Sequence, residues 1–273
     1  MNKAFWRDKH VIITGASSGI GWAIAEHLAG SGARLGLTAR RSDKLRELAV
    51  VIEGRGGQVA WAAADIRSPE QTTTALRELR AALGPCDVLI ANAGIHRYTV
   101  VDEFSADQAR EVFATNVVGL INSLEPVVPE MVARRKGHIA AVASIAALLG
   151  LPRSGAYSAS KAAVVTLMQS LRVDLYRYGI DVTTICPGFI DTPLLAGYPP
   201  EKVPGIISAP DAAARICRAI ERRRREYYFP LRTWLLARIG RRLPFWLYRR
   251  VCARLPRHNF DPRRQGSGPG ATN

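Results

Sequence analysis

Short apolar runs alternate with longer stretches of helical period over most of the chain. Strand-like runs fall at 11–14, 34–38, 58–62, 88–91, 137–142 and 181–185. Each is only a few residues long and rich in Val, Ile, Leu or Ala, as expected of strands buried on both sides. From Ala156 onward, Val164, Leu167, Met168 and Leu171 recur at helical spacing. That periodicity buries one face of a helix and leaves Tyr157 and Lys161 further round, open to a cleft. Strand and helix in alternation predict a single doubly wound α/β domain, a mostly parallel sheet with helices on both faces. No repeat of 20 to 50 residues interrupts this order. The pattern weakens toward the end of the chain. Residues 1–220 read as the domain itself, 221–262 as a basic, aromatic-rich extension packed on or beside it, and 263–273 as a disordered Gly/Ser/Pro tail. Within the domain, 188–208 carries Pro193, Pro199, Pro200, Pro204, Gly197 and Gly205, which predicts a mobile loop in place of a regular element.

The first strand runs straight into Thr14-Gly15-Ala16-Ser17-Ser18-Gly19-Ile20-Gly21 and then into a helical pattern from Trp22. Glycines let a tight turn bring backbone amides at the positive end of a helix close to a pyrophosphate, where a Cβ would block the turn or the helix packing. The spacing is G-x-x-x-G-x-G, not the G-x-G-x-x-G of the longer dinucleotide-binding dehydrogenases. A ligand-free strand-to-helix turn would use the same residues. Tyr157 and Lys161 stand four apart, which on a helix puts a phenol and an ammonium on one face. A nearby cation favours the phenolate, so Tyr157 is expected to exchange protons below its ordinary value near pH ~10. Alone, this pair is also what an exposed helical contact looks like.

Taken jointly, the glycine turn, Asn92-Ala93-Gly94, Asn116, Ser144, Tyr157 with Lys161, and Pro187-Gly188 followed by Thr192 resemble the short-chain dehydrogenase/reductase family, over roughly residues 8 to 220. The resemblance implies a Rossmann-type fold, a nicotinamide dinucleotide cofactor, a homo-oligomer and a catalytic set of Asn116, Ser144, Tyr157 and Lys161. It assigns the pyrophosphate to Gly15, Ser17, Ser18, Gly19, Ile20 and Gly21, and the adenine to Asp65 and Ile66, the carboxylate accepting from the amino group and the aliphatic side chain covering the ring. A helix-capping aspartate before Ser68-Pro69 is the simpler alternative for Asp65. Asn92, Ala93 and Gly94 would line the nicotinamide ribose and stiffen the sheet. Pro187, Gly188, Ile190 and Thr192 would close over the nicotinamide. Asn116, a poor helix former inside a helical pattern, would support a water that relays protons from Lys161. Lys161 would bind the ribose hydroxyls and lower the tyrosine pKa. Ser144 would donate to the substrate oxygen; as an isolated serine it would cap a helix. It lacks the G-x-S-x-G elbow of a hydrolase.

Arg40 and Arg41 follow the second strand, where many dinucleotide enzymes place an acid for the ribose 2′-hydroxyl. With Ser17 they favour NADP over NAD, because a guanidinium pairs with a 2′-phosphate that a carboxylate would repel. Ile145, Leu148, Leu149, Leu151, Phe189, Leu194, Leu195 and Tyr198 suggest an apolar pocket for a lipophilic ketone or secondary alcohol. The runner-up is a non-catalytic, cofactor-binding regulator or scaffold on the same fold.

Charge and composition change the picture only at the end of the chain. Of the net charge of +15, thirteen lie from Arg215 onward, as 16 arginines against Glu221, Glu226 and Asp261. Arginines interleaved with Trp234, Leu235, Leu236, Phe245, Trp246, Leu247 and Tyr248 suit the interface of an anionic membrane. The alternative is aromatic packing over the cleft or a subunit interface, with the arginines in water. Nucleic acid is the weakest option, since charge alone gives affinity and no readout. Cys86, Cys186, Cys217 and Cys252 have neither zinc-site spacing nor partner histidines, and read as core thiols in a reducing compartment. Residues 1–10 show no secretory leader and no apolar run reaches a membrane-spanning length, so the expectation is a cytoplasmic protein, peripheral at most at the inner face of a membrane.

Overall fold

The structure, a computed structural model, describes residues 1–99, 101, 104–195 and 205–253. Among the described residues there are nine strands: β1 His10–Thr14, β2 Arg34–Ala39, β3 Gln58–Ala63, β4 Val88–Ala91, β5 Gly137–Val142, β6 Ile180–Pro187, β7 Ile190–Asp191, β8 Ile207–Ser208 and β9 Glu226–Phe229. The helices are α1 Lys3–Trp6, α2 Gly19–Leu28, α3 Ser42–Glu53, α4 Pro69–Leu83, α5 Ala106–Phe113, α6 Gly119–Leu124, α7 Val128–Arg134, α8 Gly155–Tyr176, α9 Ala209–Glu221, α10 Leu231–Gly240 and α11 Phe245–Ala253.

The main sheet has seven parallel strands in the order β3-β2-β1-β4-β5-β6-β9. Because side chains alternate along a strand, β1 feeds two cores. Val11 and Ile13 pack with Ile24 and Leu28 of α2, Leu45 and Leu48 of α3, and Ile216 and Ile220 of α9. Ile12 points the other way, into a layer with Leu76 and Leu79 of α4, Leu120 of α6 and Val164 and Met168 of α8. This is the expected three-layer, doubly wound sheet. The chain builds outward from β1 to β3, then returns through β4 on the other side. The strand order therefore reverses between β1 and β4, and the crevice at their carboxyl ends is where such sheets bind ligands.

Two features depart from the sequence expectation. The sheet takes a seventh strand, β9, from beyond residue 220, so the boundary expected there falls inside the sheet. Arg172 of α8 fastens β9, donating to Thr184 Oγ1 and to the carbonyl of Arg225. The segment expected as a mobile loop also has regular pairing: β7 and β8 run parallel, Ile190 opposite Ile207 and Asp191 opposite Ser208. Residues 196–204, with Tyr198 and three of the prolines, lie outside the described residues, as does the 263–273 tail.

Glu221, at the end of α9, accepts from the Trp6 indole at 2.7 Å and from the Asn2 amide at 2.9 Å. The run 106–134 through α5, α6 and α7 has a mean hydropathy of 1.2 over a window long enough to cross a membrane. Here it packs against α4 and α8. Cys86, Cys186 and Cys217 are buried, and burial raises the Cys86 and Cys186 thiols to about 12.

Candidate active site

The glycine turn is built by exclusion of side chains. Gly15 has φ 67° and Gly19 φ 58°, a region L-residues avoid. A Cβ on Gly15 would stand 2.7 Å from Ala93 Cα, and one on Gly21 would meet the Gly15 carbonyl and Asn92 Nδ2 at 2.6 Å. Asn92 clamps the turn from β4. Its Nδ2 donates to the carbonyls of Thr14 and Gly15, while Thr14 Oγ1 accepts from the amides of Asn92 and Ala93. Ser18 caps α2 in position but its side chain makes no capping bond, leaving the first-turn amides, those of Gly19, Ile20 and Gly21, open to an anion. The cradle fits a dinucleotide pyrophosphate: the backbone is bare where a Cβ would intrude. Across it, Thr192 Cγ2 comes within 3.2 Å of where a Gly19 Cβ would be, and Thr192 Oγ1 donates to the Ile190 carbonyl at 3.2 Å.

At the end of β2, Arg41 donates to Ser17 Oγ from Nη2 at 3.0 Å and from Nε at 3.3 Å, and to the Ser17 carbonyl at 3.2 Å. Arg40 is exposed beside it. On the adenine side both expected residues have protein partners. Ser68, not Asp65, caps α4, so the capping alternative fails. The Asp65 carboxylate is gripped by Arg67, with Nε at 3.0 and 2.9 Å from its two oxygens and Nη2 at 2.5 Å. Burial acts to raise its pKa, but the Arg67 bonds prevail and hold it below the usual carboxylate range. Ile66 is buried and its Cδ1 lies against Gly119. Its side chain points into the protein.

The catalytic candidates converge at the carboxyl ends of β4 and β5. Ser144 follows β5 and serves as the cap weighed for it. Its Oγ accepts from the Ala146 amide at 3.1 Å, capping a 3-10 turn at Ile145–Leu148, and it also hydrogen-bonds Tyr157. The Lys161 ammonium donates to the Val142 carbonyl at 2.8 Å and lies 5.8 Å from the Tyr157 ring centroid. Lys161 is buried and not open to a cleft, because that carbonyl draws it under the sheet end. Burial lowers its pKa to about 8. The expected depression of the tyrosine is reversed: burial pushes Tyr157 above its ordinary value, and the Ser144 bond opposes this only in part.

Asn116 lies in a π-turn, Ala114–Val118, that interrupts the helix the sequence pattern suggested. Such turns mark a locally distorted helix. Its Oδ1 accepts from the Ile95 amide at 2.8 Å, and its Nδ2 donates to the Ile95 carbonyl and to Ser160 Oγ, both at 3.0 Å. Ser160 Oγ donates in turn to the Tyr157 carbonyl at 2.7 Å. A small space of about 10 Å³ lies among Asn116, Ser123, Lys161 and Thr14, room for about one water. A Cβ on Gly94 would sit 3.2 Å from Lys161 Nζ. Gly188, after β6, is pressed by Pro230 and Ile145, a Cβ there meeting them at 3.2 and 3.4 Å.

Sequence reasoning missed Ser160 and His96. The His96 ring stands edge-on to Tyr157 with centroids 4.9 Å apart, bonds to Ser154 Oγ at 3.0 Å, and is held neutral by burial and then by Arg97, down to about 4. Its place directly after Asn92-Ala93-Gly94-Ile95 was the available signal. A separate hollow of about 260 Å³ opens between α5 and α8, lined by Tyr98, Phe104, Phe113, Ala156 and Ala159. None of the described residues expected to line a substrate pocket borders it.

The model of the short chain dehydrogenase family matches residues 9–202. A protein of Myxococcus xanthus named an uncharacterized oxidoreductase is 35% identical over 246 residues, covering 89% of this chain and 96% of its own. A short chain dehydrogenase/reductase from Burkholderia phymatum, solved in complex with NAD, superposes with a TM-score of 0.79 at 27% identity, over 86% of this chain and 93% of that one. An alcohol dehydrogenase from Thermococcus sibiricus, complexed with 5-hydroxy-NADP, gives 0.74 at 26% identity over 81% and 95%. With a parallel sheet, a glycine cradle at its switch point and a Ser-Tyr-Lys cluster beside it, the chain belongs to the short-chain dehydrogenase/reductase family of NAD(P)-dependent oxidoreductases.

Proposed function

We propose that the chain passes hydride between NADP(H) and a lipophilic ketone or secondary alcohol, with Tyr157 as general acid and base. The observation that carries this reading is the convergence of Ser144, Tyr157 and Lys161 beside Gly94 and the glycine cradle. When bound, the nicotinamide would supply the hydride. Ser144 would hold the carbonyl oxygen and favour the developing alkoxide. Tyr157, kept protonated by burial, is suited to deliver a proton to that oxygen in the reducing direction. Lys161, an ammonium below about pH 8, would stabilise the phenolate left behind. Asn116 fixes the turn next to Lys161, and the one-water space beside it supports a route for reprotonation.

NADP is favoured because Arg41, held on Ser17 at the end of β2, and Arg40 beside it would offer guanidinium groups to a 2′-phosphate, and positions 39–42 carry no Asp or Glu. A lipophilic substrate is supported by the aliphatic residues around the cleft, Ile145 and Leu149 among them. Phe113, Val118 and Ile121 on one helical run, with Val173 and Tyr176 on α8, leave apolar side chains exposed, which supports a homo-oligomer. We place the protein in the cytoplasm, with its basic end toward the inner face of a membrane.

Replacing Tyr157 with Phe tests the reading. Turnover of a ketone should fall by about three orders of magnitude, the upper part of the range for a proton-transfer catalyst. NADPH affinity, measured by fluorescence titration, should stay within about twofold. Turnover within about tenfold of the parent would refute Tyr157 as the acid. In the reducing direction, the rate should decline as pH rises through about 8, where Lys161 gives up its charge. A panel of ketones of increasing chain length, none of them consuming NADPH, would favour a non-catalytic regulator.

A further inference from the structure

Helix α10 is turned the wrong way for a water-soluble domain. Its small or amphipathic residues, Thr233, Trp234, Ala237 and Gly240, face the protein, while Leu231, Leu235, Leu236 and Ile239 face out. The outward leucines at 231 and 236 are 69% and 68% exposed, and Phe245 and Trp246, at the start of α11, are 76% and 62% exposed. Around them stand Arg232, Arg238, Arg241, Arg242, Arg249 and Arg250, and residues 230–253 contain no Asp or Glu. We propose that α10 and α11 form a docking face for an anionic lipid surface. Charge selects this occupant. A second copy of the same face would bring six like charges against six, and water alone gives no reason for six large apolar side chains to point outward. Phosphate headgroups pair with guanidinium groups bidentately, while leucine, phenylalanine and tryptophan enter the acyl boundary.

The position of the face extends the proposed function and, on this point, rests on it. Gly240 packs near Leu149, a Cβ there lying 3.2 Å from Leu149 Cδ2, and Tyr248 donates to the Gly150 carbonyl at 2.6 Å. Both contacts fall just after the 3-10 turn that Ser144 caps. The docked face therefore adjoins the turn that Ser144 caps, so docking would present a lipophilic substrate on the bilayer side of the cleft.

The full chain, sedimented at low salt with phosphatidylglycerol vesicles, should bind at least about tenfold better than with phosphatidylcholine vesicles, and salt should weaken the binding. The double variant Leu236→Glu, Trp246→Glu should lose at least about tenfold of that affinity, because carboxylates then face both lipid phosphate and acyl chains. Its turnover of a short water-soluble ketone should equal that of the parent. Equal binding to both vesicle types, no sedimentation at all, or a variant that binds like the parent would overturn the proposal. So would a variant that stays off vesicles only because it has changed from dimer to monomer in sedimentation velocity, which would assign the face to a second copy. A failure of ketone turnover in the parent itself would instead count against the proposed function and leave the docking result standing.

Discussion

The glycine turn and the C-terminal helices meet solvent in opposite ways. Around Gly15 and Gly21 the backbone is hemmed in by other backbone and by the Asn92 amide, so the shape of the site leaves almost no freedom for a side chain. Around α10 and α11 the backbone is ordinary and the side chains carry all the character, apolar and cationic groups facing out. A site made by backbone geometry tolerates one residue type and is conspicuous in a sequence. A surface made by side chains can be assembled from many sequences, and only its placement reveals what it is.

This contrast can be broken experimentally, and the largest effect should come from the buried polar side. Lys161→Met removes a cation whose pKa the fold lowers from 10.5 to about 8. In the parent, the unfolded chain binds this proton more tightly than the folded one. The penalty is therefore complete below pH 8 and is gone by about pH 10.5. Relative to Lys161→Met, the cofactor-free parent should gain roughly 3 kcal/mol of unfolding free energy across that window. Parallel denaturation curves at pH 7.5 and pH 10 check it, and parallel pH profiles would show that the ammonium is not desolvated.

Next in size is Gly21→Ala. The added methyl would press on the Gly15 carbonyl and on Asn92, an overpacking cost of about 1–3 kcal/mol. That cost should appear as lost unfolding free energy in chemical denaturation, with dinucleotide affinity by titration falling as the turn shifts, and unchanged affinity would mean the turn does not hold the cofactor. Arg41→Ala should cost less, weakening NADPH about tenfold while moving NADH less than twofold, since only the former carries the 2′-phosphate. Equal losses would remove the basis for an NADP preference. Smallest of all, Leu236→Ser should shift stability by under about 0.5 kcal/mol, because the side chain is already in water. A loss near that of a core leucine would show that the outward face is covered.

The same contrast explains what the sequence made legible. The first six strands, the G-x-x-x-G-x-G turn and the Tyr157-Lys161 pair were all readable, because periodicity and glycine placement follow directly from backbone requirements. β9 was not. Glu226-Tyr227-Tyr228-Phe229 is short, lies between a run of four arginines and Pro230, and gains its strand character only from pairing with β6. β7 and β8 are two residues each, paired across a proline-rich segment, so no local pattern announced them. Asn116 was visible as a misfit in a helix, but its bonds to Ile95 and Ser160 depend on the tertiary approach of α8. The pKa of Tyr157 went the other way from the helical argument for the same reason. Spacing put Lys161 on its face, while the Val142 carbonyl and the surrounding protein decided where the charge sits and how dry the phenol is.

The Glu221 carboxylate, which receives both the Trp6 indole and the Asn2 amide, acts as a clasp between the opening turn of the chain and the helix that precedes the last sheet strand. An affinity tag fused ahead of Met1 would pull on that clasp, and so would any shortening of the protein just after α9. Recombinant handling of this enzyme is best begun with fusions placed after residue 253, where neither the clasp nor β9 is disturbed.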